Sequence, residues 1–114
     1  MASPARRPMT RDVSVQIAVD RNGQITVKPD PFWVSKGRSE EVWFSCTSAD
    51  PSNPNPDFTV KFNKNGTPFN DSVFSQQYPC SGLVKRIVKP SKKIYNYRVT
   101  VGRSTLDPGG GVQE

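Results

Sequence analysis

Two cysteines, a run of seven cations and no histidine set the limits on the chemistry open to this chain. Without histidine the commonest general base is missing, and with it the Ser-His-Asp and Cys-His nucleophile arrangements. Glu40 and Glu41 are adjacent, so on a strand they point to opposite faces and cannot act as an acid/base pair. Gly109, Gly110 and Gly111 resemble a phosphate loop only in composition; no helix pattern follows them, and a flexible tail is expected. No enzymatic activity and no cofactor are expected. Cys46 and Cys80 lie far apart, outside any CxxC or Cys/His cluster. In a reducing compartment they are expected as inert thiols, and in an oxidising one as a candidate pair. Two thiolates would suit a soft ion such as Cu(I) only if they met, which nothing local requires, so no metal is expected.

The cations are the stronger signal. Lys85, Arg86, Lys89, Lys92, Lys93, Arg98 and Arg103 follow one another between Leu83 and Leu106 with no acidic residue among them. Such a segment can meet phosphates, an acidic protein or an anionic membrane surface. It can equally decorate a solvated hairpin, where lysines discourage edge pairing, and a net charge of +6 also serves solubility. Tyr95 and Tyr97 lie inside the run but share a strand face with Val99 and Val101, which points to core packing rather than base stacking; Arg98 takes the other face.

The elements that position these groups are strands. Leucine occurs only at Leu83 and Leu106, while valine, isoleucine and aromatics supply the apolar residues, and Pro plus Gly number 19. At 114 residues the chain is one domain, able to bury roughly two-thirds of its unfolded surface. Residues 1–11, polar and rich in Pro and Arg, read as a disordered arm before a domain spanning 12–114. Val13, Val15, Ile17 and Val19 alternate with polar or small residues, and residues 24–28 resume the alternation after Asp20, Arg21, Asn22 and Gly23. Pro29 and Pro31 end that strand. An extended piece at 32–34, a Lys36-Gly37 turn and a strand at 41–46 follow, with Val42, Phe44 and Cys46 on one side and Trp43 on the other. Residues 48–57 are a proline-rich loop and 58–62 a strand. Residues 67–82 lack a period and read as a connection with a helical turn near 71–77. Residues 83–88 and 94–101 read as two strands of a basic hairpin spanning 83–103, and 109–114 can add a last pairing through Val112. About seven short strands with regular turns describe an all-β Greek-key β-sandwich.

The stretch ITVKPDPFWVSKGRSEEVWF resembles the cupredoxin-like signature of a strand near a proline, an extended segment, a Lys-Gly turn and a Val-x-Trp/Phe strand. FTVKF, followed by IYNYRVTVGRSTLDPGGGVQE, resembles that family's later strands, and together they cover most of residues 13–114. The alternative is an immunoglobulin-like sandwich with Cys46, Trp43 and Cys80, but there the Trp follows the first Cys, whereas Trp43 precedes Cys46. A blue-copper site takes two imidazoles and a thiolate. The resemblance puts those ligands near Asp57 or Phe58, at Val99 and in the 102–107 loop, and none is present.

The expectation is therefore a copper-free, non-catalytic binding module of the cupredoxin-like type. Its leading partner is an unidentified protein, with nucleic acid or an anionic surface met by the basic hairpin as the alternative. A redox role for Cys46 and Cys80 is a third. No apolar run approaches the ~18 residues of a membrane-spanning helix. The first twelve residues lack the apolar segment of a secretory signal, so a chain starting at Met1 is expected in the cytoplasm.

Overall fold

The computed structural model describes residues 12–114, and the arm expected over 1–11 lies outside them. The described chain is all-β, with nine strands: β1 (Val13–Val19), β2 (Ile25–Lys28), β3 (Phe32–Ser35), β4 (Val42–Ser48), β5 (Thr59–Phe62), β6 (Val73–Ser75), β7 (Tyr95–Val101), β8 (Ser104–Leu106) and β9 (Gly109–Gln113). They form two sheets, one ordered β2-β1-β4 and the other β3-β9-β7-β5-β6, with β8 paired to β7. Pairing is mixed: β1 runs parallel to β4 from Val13↔Val42 to Val19↔Ser48, β3 runs parallel to β9, and the other pairs are antiparallel.

Alternation fixes which side of each strand is buried. Val15 and Ile17 of β1, Val42, Phe44 and Cys46 of β4, Val60 and Phe62 of β5, and Tyr97 and Val99 of β7 all enter one apolar core, while their sequence neighbours point outward. At its centre Phe32, Phe44, Phe62, Phe69, Phe74 and Tyr97 touch one another with ring centroids 4.9 to 6.4 Å apart, mixing edge-on and offset contacts. The outer edge of β4 is covered by residues 79–81: Phe44 N–H donates to Pro79 O at 2.9 Å and Ser81 N–H to Val42 O at 2.8 Å.

Three local expectations are corrected. Residues 83–88 are not a strand; Val84 alone bridges to Phe69, and the rest is turn and coil, so no 83–103 hairpin exists. The apolar residues of Leu83 to Val88 divide instead, with Val84 and Val88 directed to the core and Leu83 and Ile87 left in solvent. Residues 71–77 hold strand β6 rather than a helical turn, because Phe74 fills the core beside Phe44 and Phe62. The three glycines belong to β9, between β3 and β7, and are buried.

That glycine strand is a packing device. A Cβ at Gly110 would stand 2.1 Å from the Phe32 ring and one at Gly111 2.2 Å from the Trp33 ring, so both rings lie directly on the β9 backbone. Ser35, at the end of β3, continues the seam by donating its hydroxyl to Glu114 O at 2.8 Å. Its own N–H is met by the buried Glu40 carboxylate at 2.7 Å.

Candidate functional site: the basic 83–94 segment

The path from β6 to β7 is irregular and carries five of the seven cations, yet it is tied down along its length. Gly82, at φ +71°, turns the chain where a side chain would be strained. Val84 enters the core, and Lys85 N–H donates to Pro68 O at 2.8 Å. Residues 85–88 form a β-turn closed by Val88 N–H to Lys85 O at 3.0 Å. Farther on, Ser91 N–H donates to Val112 O of β9 at 3.0 Å, and Lys93 N–H to Ser91 Oγ at 3.1 Å.

The strongest tie comes from outside the segment. Lys36, at the end of β3, donates its ammonium to the carbonyls of Arg86, at 2.8 Å, and Val88. The carbonyls that bracket Ile87 are thereby held by one charged donor, a stronger arrangement than neutral hydrogen bonds. The turn presents Arg86 and Ile87 at its tip; Ile87 is 83% exposed and Leu83 52%. Arg86, Lys89, Lys92 and Lys93 are exposed and Lys85 is half-buried. Lys93 Nζ lies 4.8 Å from the centroid of the Tyr95 ring, a cation–π contact at the entry to β7.

Arg98 and Arg103 do not join this group. Arg98 stands on the outward face of β7 opposite Lys61 of β5, and the repulsion between them is relieved by Asp107. Arg98 Nε and Nη2 donate to its two carboxylate oxygens at 2.9 and 3.3 Å. The pairing lowers the Asp107 carboxyl below the ordinary carboxylate range and raises Arg98. The pair lines a shallow groove of about 620 Å³ with Lys61, Asn63 and Asn96. Arg103 sits in the turn between β7 and β8. The seven residues of β7 separate it from Lys93, a span of about 23 Å at strand rise. The single seven-cation surface expected from the sequence is therefore three separate places, of which only the 85–93 group combines several cations without an acidic neighbour in the chain.

The two cysteines are held apart. Cys46 faces the core from β4 and is 6% exposed, and burial pushes its thiol pKa up. Cys80 bridges to Trp43, three residues back along β4 and on its other face, and its Sγ lies 3.3 Å from Glu41 Oε1. The two thiols are not bonded to each other. Three residues of strand put their backbones about 10 Å apart, beyond the reach of a disulfide without backbone movement.

The places the cupredoxin resemblance marks for copper are otherwise occupied. Val99 is buried in the core, and the 102–107 stretch holds β8, whose Ser104 hydroxyl donates to Gly23 O at 2.6 Å. Among the described residues no three His, Cys, Asp or Glu side chains come together, and no helix is long and apolar enough to cross a membrane.

Lys36 and Ile87 are the site residues the sequence concealed. Lys36 lies outside the cation run, and Ile87 sits in an apolar-rich stretch read as a strand that does not form. The signal that could have exposed Ile87 is the Lys-Arg pair before it, an unusual flank for a buried strand. No family model, curated protein or solved structure matches the chain.

Proposed function

We propose that this chain is a copper-free, non-catalytic binding module of the cupredoxin-like, Greek-key sandwich type, meeting a negatively charged partner through the cations of residues 85–93. The fold reading is supported by two sheets sharing one core and by the closing elements, a Tyr-x-Tyr strand and a short final strand, with the three-residue β8 between them. The observation that carries the functional reading is the pinned 83–94 segment, where five cations gather without an acidic residue and hydrogen bonds fix the backbone beneath them. A pre-set backbone lowers the ordering cost of an encounter, and clustered charge raises its rate.

A negatively charged surface is the leading partner. Nucleic acid is a weaker second, because the aromatic side chains near the cations are engaged: Tyr97 is in the core, and the Lys93 ammonium covers Tyr95. Binding there would be to phosphates alone, without a stacking platform.

Titration against polyglutamate, single-stranded DNA, duplex DNA and RNA across a salt series tests the reading. Affinity should fall steeply with salt. A Lys89→Glu/Lys92→Glu/Lys93→Glu variant should lose binding, whereas Arg98→Ala should bind as wild type because Asp107 already occupies that guanidinium. Equal binding by the triple variant, or no binding to any anion at low salt, would sink the proposal.

A further inference from the structure

We infer that the 85–88 turn docks on an anionic lipid bilayer, with Ile87 entering the headgroup boundary and Arg86, Lys89, Lys92 and Lys93 meeting acidic headgroups. This rests on reading the segment as an anion-binding surface, and it adds the partner. A lone exposed isoleucine is ordinary on a protein surface. Here three observations coincide on one residue.

Ile87 is the most exposed large apolar side chain among the described residues. It occupies the third position of a β-turn, where Asn, Asp, Ser and Gly serve the backbone better than a β-branched residue. Its exposure is also built in. The Lys36 ammonium holds the carbonyls before and after it, Lys85 N–H is fastened to Pro68 O, and Val88 packs on the core, so the side chain cannot fold back under the turn. Arg86 precedes it, Lys89 follows two residues on, and half-exposed Leu83 adds apolar surface on the same segment.

An apolar tip flanked along the chain by exposed Arg86 and Lys89 is complementary to a membrane interface, where the tip leaves water and the cationic groups stay with the phosphates. A phosphodiester backbone offers the isoleucine nothing, and an acidic protein surface would use the cations and leave Ile87 in water.

The test is co-sedimentation of the full chain with phosphatidylserine/phosphatidylcholine vesicles and with pure phosphatidylcholine vesicles, beside Ile87→Ser, Ile87→Trp and the triple lysine-to-glutamate variant. Wild type should bind only the anionic vesicles. Ile87→Ser should lower vesicle partitioning about tenfold while leaving its salt-dependent affinity for polyglutamate unchanged. The triple lysine-to-glutamate variant, which removes three cations and adds three anions, should lower partitioning by at least about a hundredfold. Brominated acyl chains should quench Ile87→Trp more than the wild type, which carries only Trp33 and Trp43. Melting temperatures equal to wild type would confirm that Ile87→Ser changes no folding. Vesicle binding by Ile87→Ser equal to wild type would overturn insertion and leave the electrostatic surface standing. Binding to polyglutamate or nucleic acid without vesicle binding would overturn the lipid assignment. Binding to no anion at all would remove the underlying reading with it.

Discussion

Lys36 and Arg86 meet across fifty residues of sequence, the Nζ of one donating to the main-chain carbonyl of the other at 2.8 Å. The ammonium also serves Val88 O, so a single side chain at the end of β3 sets the height of the basic turn above the sheet. Lys36→Met keeps the stem and deletes the donor, leaving two carbonyls to water. The expected loss is about 1–2 kcal/mol in chemical denaturation, with faster hydrogen exchange at the Val88 amide.

Gly110 tests the seam between β3 and β9. Gly110→Ala drives a methyl into the Phe32 ring, which is fully buried and touches Phe44, Phe69 and Tyr97, so the ring cannot step aside. A loss of about 3 kcal/mol or failure to fold is expected. Gly66→Ala, whose added carbon would meet its nearest neighbour, Asn63, at 3.4 Å, is the control expected to melt within a few degrees of wild type.

Tyr97 carries a hydroxyl that is buried without a partner among the described residues. Desolvation first, and the Asp30 charge second, raise its pKa well above the usual tyrosine range. A neutral phenol favoured by the fold stabilises at pH values below the unfolded pKa of about 10, and that contribution drains away as pH rises toward the folded value. Alkaline unfolding should therefore begin near pH 10 and retreat to higher pH in Tyr97→Phe. At pH 7 the same variant should be neutral or more stable by up to about 1 kcal/mol, since it removes an unsatisfied group. Melting curves from pH 7 to 11 check both.

The thiols should react in sequence. Burial disfavours the Cys46 thiolate, so at pH 8 iodoacetamide should modify half-buried Cys80 first and Cys46 only slowly, gaining speed as pH rises. Mass spectrometry of a time course reads the order. Diamide treatment should give no intramolecular Cys46–Cys80 bond in the folded protein; its rapid formation would revive the redox role.

Alternation made β1, β2, β4, β5 and β7 legible, because each buries one face, and period two is the imprint of that arrangement. Elements buried on both faces, or hardly at all, leave no such imprint. Ser35 lies in the interior like Val34, so the sequence of β3 reads only as an extended piece at 32–34. β9 is built from glycines that pack by lacking side chains, which reads as a tail. β6 and β8 have three residues each, too few for a period. At residues 83–88 composition misled: four of the six residues are Leu, Val, Ile and Val, which suggests a strand, but no period two runs through them, and Leu83 and Ile87 face water. The cation run was equally visible in the sequence, whereas its division by β7 and the capture of Arg98 by Asp107 depend on pairings that only the assembled sheet defines.

Phe32 pairs with Gly110, and Val13 with Val42, in parallel ladders that no hairpin can nucleate. Such contacts close long loops before they return any energy, so the domain should collapse late and in one step, at the slow end of the range for its size. A ribosome making this chain would hold β3 waiting through most of the synthesis, its Phe32 and Trp33 rings uncovered until the glycine strand that they rest on has emerged. For a molecule with so many aromatic side chains, that interval is the period of greatest exposure to aggregation.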